Sequence, residues 1–160
     1  MNGMFGWCSW VFAGVRESIP APCNHRSDTL LLKPCRLLNH EPGGLPPKYM
    51  LYVGRTVPGE WFIITVDVKH ACSYDADLFY TSNRSGAISL DVNGKGATGP
   101  VNVPTTYKSA DPIAWRQWHH WNLAKDLFRP HLPAGKNVLT VHVLKEGNMN
   151  FAYFDFHAAD

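Results

Sequence analysis

AISLDVNGK, residues 87–95, is the stretch that decides the fold. Apolar residues alternate with polar ones as far as Val92, which is the pattern of a strand with one buried face. Asn93 and Gly94 then supply the dipeptide most typical of a two-residue hairpin turn. The stretch therefore predicts antiparallel strands, with a short edge strand following at Val101–Val103, just before Pro104.

The same pattern of short strand-like stretches separated by turn residues continues on both sides of this hairpin. The pattern predicts further strands at 49–53, 61–68, 74–81, 118–123, 137–144 and 151–156, and at most a turn or two of helix at 122–128. Seven or eight strands at this spacing predict an all-β sandwich or barrel, and we expect two facing antiparallel sheets. The residues predicted to be buried are Trp61, Leu78, Leu90, Trp121, Leu139, Val141 and Phe154.

The chain changes character near Leu45-Pro46-Pro47. Before this point it is irregular and rich in proline, and only 29–32 suggests a short strand, which we expect at the edge of a sheet. We therefore divide the chain into an irregular segment, 1–46, that packs on the sandwich, and the sandwich itself, 47–160. Three of the four cysteines lie in the irregular segment, and the four together suit two disulfides or incidental thiols equally well.

Composition narrows the class of partner. The 160 residues carry a formal net charge of +2 with scattered Lys and Arg, so no basic surface for nucleic acid or an anionic membrane is indicated. The apolar run 4–13 resembles a short signal core, but no Lys or Arg precedes it. Six Trp residues are a rich supply of planar binding surface, which favours a ligand that stacks.

The densest feature is WRQWHHW, residues 115–121. In an extended chain Trp118 and Trp121 point to opposite faces, so one would enter the core and the other would be presented outward. An outward indole suits a sugar, whose axial C–H groups meet the aromatic face. The alternative is that all three Trp residues of this segment are core residues. His119 and His120 also point apart on a strand, so one shared metal ion is disfavoured.

Other chemistry has weaker signals. The acidic residues of the strand region are scattered, and no motif pairs two of them for glycoside hydrolysis. No nucleophile elbow, zinc-protease motif or phosphate-binding loop is present in the sequence. Asn83-Arg84-Ser85 is a glycosylation sequon, a motif that also arises by chance. Asn148 and Asn150 stand before the last strand, where an amide suits adjacent sugar hydroxyls but also makes ordinary turns.

From about Tyr52 to Phe156 the chain resembles the family 6 and family 35 carbohydrate-binding modules. Six segments carry the resemblance in order: PGEWF at 58–62, ISLDVNGK at 88–95, VPTT at 103–106, WHHW at 118–121, LPAGKNVLTV at 132–141 and NFAYF at 150–154. The resemblance implies a jelly-roll β-sandwich of two antiparallel sheets, with a sugar site in the loops at one edge and no catalytic residues.

The resemblance also assigns roles to single residues. It makes Trp118 the sugar-binding indole, Trp121 a core residue, Asn150 the sugar-binding amide, and Tyr49 or Tyr52 the aromatic residue across the cleft. The family's first strand carries Glu residues that serve the sugar or a structural calcium ion. Only EPGG at 41–44 offers a Glu here, so calcium is the one implied cofactor and its ligands are not identified. The insert 107–115 is longer than the family's usual loop and would reshape the cleft.

The interpretation is a non-catalytic, secreted module that binds a polysaccharide or a terminal sugar, often beside a glycoside hydrolase domain in the parent protein. One alternative is a small glycan-active enzyme that uses a carboxylate or His119 and His120 in the same cleft. A second alternative is a β-sandwich for protein–protein contact, with the aromatic residues forming a buried interface.

Overall fold

A computed structural model describes the backbone of Leu30–Leu32 and residues 52–159, and these residues form ten β-strands and one 3-10 turn. The strands are β1 (Leu30–Leu32), β2 (Trp61–Val68), β3 (Cys72–Ser82), β4 (Gly86–Val92), β5 (Lys95–Gly96), β6 (Val101–Val103), β7 (Asn122–Phe128), β8 (His131–Leu132), β9 (Gly135–Lys145) and β10 (Met149–Ala158). The 3-10 turn is Arg116–Trp118. Within this part of the chain, no helix is long and apolar enough to cross a membrane.

The strands form two five-stranded antiparallel sheets. Sheet I has the order β1-β10-β3-β7, with β8 also paired to β3, and sheet II has the order β2-β9-β4-β5, with β6 also paired to β4. The predicted all-β sandwich of two antiparallel sheets is therefore confirmed, and so is the edge strand at 29–32, since β1 pairs with β10. The division at residue 46 stays a prediction, because residues 1–29 and 33–51, including Cys8, Cys23 and Cys35, lie outside the described residues.

The hairpin predicted at Asn93-Gly94 is confirmed. Asn93 and Gly94 both have positive φ, at 52° and 75°, which is the backbone that a two-residue hairpin turn needs. Val92 pairs with Lys95 across the turn. The Asn93 side chain accepts from Val138 N–H and donates to Asn137 Oδ1, both at 2.8 Å, so the turn is tied to β9.

The core lies between the sheets and follows the two-residue period of the strands. Ile88, Leu90 and Val92 are buried on β4, as the alternation predicts. A bulge between Phe151 and Tyr153 in β10 lets Phe151 and Phe154 both face inward. Burial of the remaining predicted core residues of β3, β9 and β10 is also confirmed: Leu78, Leu139, Val141 and Phe154 are at most 2% exposed.

Two predicted secondary elements are wrong. Residues 122–128 form strand β7 and not helical turns, because they pair with β3 as far as Ala76 opposite Phe128. The predicted strand 118–123 begins only at Asn122, since the 3-10 turn occupies the residues up to Trp118. Of the predicted strand 49–53, Val53 forms an isolated bridge with Phe151, and 49–51 lie outside the described residues.

The prediction that Trp61 is buried is also wrong. Trp61 is 51% exposed at the start of β2. The inward phase of that strand belongs to Phe62, Ile64 and Val66, which pack in or against the core. Strand parity therefore outweighs the apolar character of the indole and sends Trp61 to the outer face of sheet II.

Two carboxylates face each other on the outer face of sheet I. Asp155 of β10 lies directly opposite Asp77 of β3. Asp77 accepts from the Asp126 N–H at 2.8 Å and lies 3.1 Å from His157 Nε2. Asp155 Oδ1 is buried and has no hydrogen-bond partner among the described residues. Burial raises the pKa of Asp155 above its usual value; the charge of Asp77 adds to this rise, whereas His157 opposes it.

We therefore expect Asp155→Asn to raise the free energy of unfolding at neutral pH. A raised carboxyl pKa in the folded state means that stability is greatest below the ordinary pKa and falls as the pH rises through the raised value. Like charges directly opposite on neighbouring strands cost roughly 0.2–1 kcal/mol. Denaturant unfolding at pH 7 and pH 3 should show the gain only at pH 7. Asp67→Asn removes the same charge opposite Lys136 and should give no gain; an equal gain would contradict the prediction.

Candidate functional site

Several connecting segments gather at one end of the sandwich. The backbone of Val53 exchanges hydrogen bonds of 2.8 and 2.9 Å with Phe151 at the start of β10. Thr56 O accepts from the Asn148 N–H at 2.8 Å, which joins the segment before β2 to the β9–β10 turn. Thr106 N–H donates to Ser82 O at 2.9 Å, which brings the long segment 104–121 to the same end.

Thr106 fixes the segment that carries the Trp residues. Its side chain is 7% exposed, and its hydroxyl accepts from the Ser82 N–H at 2.9 Å and donates to the Trp118 carbonyl at 2.8 Å. Ser82 in turn is paired with Met149, the residue before Asn150. The backbone of Trp118 is therefore tied to the strand pair that carries Asn150, although no direct contact joins the Trp118 and Asn150 side chains among the described contacts.

Trp118 ends the 3-10 turn, so the extended geometry expected for this segment is wrong. The turn is closed by the bond from His119 N–H to Arg116 O, at 3.0 Å. The Trp118 ring is half-buried and lies against the imidazole of His119, with centroids 3.6 Å apart and planes tilted by 34°. No second ring contact of Trp118 occurs within residues 52–159. One indole face is therefore covered by a ring while the other has no aromatic neighbour in that range.

Trp121 has different surroundings. Its indole stacks on Phe79, with centroids 5.3 Å apart at 24°, and it meets the Tyr52 ring edge-on at 5.4 Å. Phe79 stacks in turn on Tyr153 at 5.1 Å. We call Tyr52, Trp121, Phe79 and Tyr153 the aromatic stack.

The prediction that Trp121 is a core residue is wrong. The Trp121 indole is half-buried and stands outside the cluster between the sheets. The reason is that Phe79 points outward from β3, since its neighbours Leu78 and Tyr80 take the inward phase. Trp121 packs on Phe79 and therefore covers the outer face of sheet I. Sequence reasoning missed Phe79 and Tyr153 as parts of this face, although the alternation of β3 carried the signal for Phe79.

Asn150 anchors the segment that precedes β2. It is 3% exposed; its Oδ1 accepts from the Arg55 N–H at 3.2 Å and its Nδ2 donates to Thr81 Oγ1 at 2.8 Å. Arg55 has a positive φ of 57°, which is uncommon for a residue with a side chain. A Cβ at Gly54 would lie 2.8 Å from both Asn150 Oδ1 and the Tyr52 ring, so a larger residue there would displace one of these side chains.

We expect Asn150→Ala to lower the free energy of unfolding by about 1–3 kcal/mol, because the Thr81 hydroxyl and the Arg55 N–H lose their partner. Denaturant unfolding measures the loss, and amide exchange at Arg55 should accelerate if the segment is released. Asn102→Ala changes an exposed Asn on β6 and serves as the matched control. Equal stability of the two variants would show that Asn150 anchors nothing.

The remaining predicted aromatic residues are placed as follows. Tyr52 belongs to the aromatic stack beside Asn150, and burial raises the pKa of its hydroxyl. Tyr49 lies outside the described residues. The structure thus brings Tyr52, Asn150 and Trp121 together and places Trp118 on the adjoining turn.

The described residues offer no metal centre. No group of three or more His, Cys, Asp or Glu side chains in that part of the chain could hold an ion. His120 Nε2 lies 3.4 Å from Asp111, while His119 covers Trp118, so the two imidazoles have separate surroundings. EPGG at 41–44 lies outside the described residues.

Solved structures share this architecture at low sequence identity. The sequence matches no protein-family model and no curated protein. A family 35 carbohydrate-binding module from Clostridium thermocellum superposes with a TM-score of 0.54 at 19% identity, covering 84% of this chain and 95% of that one. A family 35 module in complex with a glucuronic acid containing disaccharide gives 0.58 at 18% identity, covering 81% and 94%.

An enzyme also contains a part of similar fold. An isomalto-dextranase from Arthrobacter globiformis gives a TM-score of 0.52 at 17% identity, with 80% of this chain aligned to 20% of the enzyme. The chain therefore matches one part of that enzyme and nearly the whole of the isolated modules. The described strands adopt the β-sandwich fold of the family 35 carbohydrate-binding modules.

Proposed function

We propose that the protein is a non-catalytic carbohydrate-binding module whose site lies at the end of the sandwich that carries Trp118. The observation that carries this proposal is the difference between the two indoles. Trp121 has Phe79 on one face and the edge of Tyr52 beside it, whereas Trp118 has only His119 as a ring neighbour within residues 52–159. The apolar side of a pyranose stacks on an accessible indole face, and we propose that the Trp118 face away from His119 serves this purpose.

In this proposal the sugar ring stacks on Trp118, and the Asn150 amide hydrogen-bonds to the sugar hydroxyls. The Asn150 amide has two N–H groups and two main acceptor positions, and the protein uses one of each. The remaining pair suits neighbouring sugar hydroxyls, while the bond to Arg55 keeps Tyr52 beside the site. Tyr49, three residues earlier in the chain, is the alternative aromatic partner. The fold shared with isolated binding modules supports binding without turnover.

A glycan array followed by calorimetry tests the proposal. The panel should include neutral plant and microbial polysaccharides, terminal sugars, and a glucuronic acid containing disaccharide beside its neutral counterpart, because one similar module is seen with such an acidic ligand. Binding without release of product supports a binding module. Turnover that survives Trp118→Ala would favour the enzyme alternative, and oligomerisation without any sugar binding would favour the protein-contact alternative.

The location and the parent protein complete the proposal. Modules of this fold occur within carbohydrate-active enzymes, such as the isomalto-dextranase and a glycoside hydrolase family 43 arabinoxylan arabinofuranohydrolase from Bacillus subtilis. A module that holds polysaccharide is useful where polysaccharide is found, so we propose an extracellular location and a catalytic partner domain.

A further inference from the structure

We propose that Asn83 is an acceptor site for an N-linked oligosaccharide, and that the attached sugars stand beside the Trp118 site. The proposal rests on the extracellular location proposed above, because N-glycosylation occurs on the secretory route. Asn83-Arg84-Ser85 is the single Asn-X-Ser/Thr sequon of the 160 residues, and its middle residue is not proline.

The position of the sequon is what distinguishes it from a chance match. The three residues connect β3 to β4; Arg84 and Ser85 are exposed, and Asn83 is half-buried. Within the described ranges, the Asn83 side-chain amide makes no hydrogen bond, and it is not among the buried polar atoms without a partner. The amide nitrogen is thus available, whereas the backbone around it is held by bonds from Thr105 Oγ1 to Asn83 O at 3.0 Å and from Ser82 Oγ to Arg84 O.

Two consecutive residues, Thr105 and Thr106, hold the sequon and the Trp118 turn. Thr105 holds Asn83 through its hydroxyl, and Thr106 holds the Trp118 carbonyl at 2.8 Å. Both threonines also bond to Ser82, the residue before the sequon. A glycan on Asn83 therefore extends from the same group of loops that holds Trp118. Its sugars compete with an external polysaccharide for the Trp118 site.

The reaction needs one co-reactant, a polyprenyl diphosphate-linked oligosaccharide supplied with its transferase. Asn83 Nδ2 attacks the anomeric carbon of the donor, and the bond from that carbon to the diphosphate oxygen breaks. The lipid diphosphate leaves with the electron pair, and one amide proton is lost to the base of the transferase. No oxidant or reductant is needed.

Secretion of the chain from a cell that N-glycosylates its exports tests the proposal. The intact mass should exceed that of the polypeptide by a whole glycan, and peptide N-glycosidase should remove the excess and leave Asp at position 83. Asn83→Gln and Ser85→Ala should abolish the excess, Ser85→Thr should retain it, and Asn102→Gln, at an exposed Asn outside any sequon, should leave it unchanged. A folded, secreted parent chain without a glycan overturns the proposal.

A second measurement tests the position of the glycan. The glycosylated parent should bind the best ligand of the array several-fold more weakly than secreted Asn83→Gln does. Equal affinity would overturn the claim that the glycan stands at the site while leaving the modification itself intact. If neither protein binds any sugar, the proposed function fails, whereas the mass measurement still decides whether Asn83 is modified.

Discussion

Trp118→Ala should abolish measurable glycan binding and leave the fold intact. Removing a central aromatic anchor typically costs about 2 kcal/mol of binding free energy, or roughly thirtyfold in affinity, which puts an already weak sugar ligand beyond detection. The fold should survive because Trp118 is half-buried, lies outside the core cluster, and is held through its backbone carbonyl, which alanine retains. Calorimetry with the best ligand from the array measures the loss, and circular dichroism checks the fold.

Trp61→Ala is the matched control for this experiment. It removes an indole that is 51% exposed on the outer face of sheet II, and we expect the affinity to remain that of the parent. The opposite outcome, binding lost with Trp61→Ala and kept with Trp118→Ala, would move the site to that face of the sandwich. Asn150→Ala should weaken binding about as much as Trp118→Ala does, because the sugar hydroxyls lose their partner.

Phe154→Ala should cause the largest loss of stability, about 3–5 kcal/mol. Phe154 is 2% exposed and contacts the rings of Phe128, Phe151 and Phe156, so truncation leaves a cavity at the centre of sheet I. Trp121→Ala should cost less, although the residue removed is larger, because its ring packs on the outer face of the sheet, where water can fill the space.

Denaturant unfolding of the two variants under identical conditions gives the comparison. The expected order is parent, Trp121→Ala and then Phe154→Ala, with an unchanged denaturant dependence if all three unfold in two states. A loss for Trp121→Ala equal to that for Phe154→Ala would mean that the aromatic stack supports the fold as strongly as the core does.

The sheets were predictable because strand parity is a local property. Ile88, Leu90 and Val92 repeat every second residue, and the Asn93-Gly94 turn sets the pairing of this strand with the next. The same rule, applied strictly, also places Trp61 outside, since Phe62 and Ile64 hold the inward phase of β2. Strand phase therefore outweighs residue type at this position.

The site was less predictable because its geometry depends on distant partners. Asn150 bonds to Thr81 and to Arg55, which are 69 and 95 residues away in the chain, and no local pattern announces either bond. The 3-10 turn that orients Trp118 is stabilised by Thr106 from outside the Trp-rich segment. Sequence could therefore indicate which residue types form the site, but not that Trp121 would be covered by Phe79 and Tyr52.

The strand order has a consequence for how the chain folds during synthesis. The two last strands, β9 and β10, occupy inner positions: β9 lies between β2 and β4, and β10 lies between β1 and β3. Sheet II therefore cannot be completed until β9 has left the ribosome, and sheet I cannot be completed until β10 has; until then β2 and β4 lack the strand between them, and β3 lacks one neighbour. Such non-local pairing is typical of slow folders, on the order of milliseconds to seconds, and exposes apolar strands to association meanwhile.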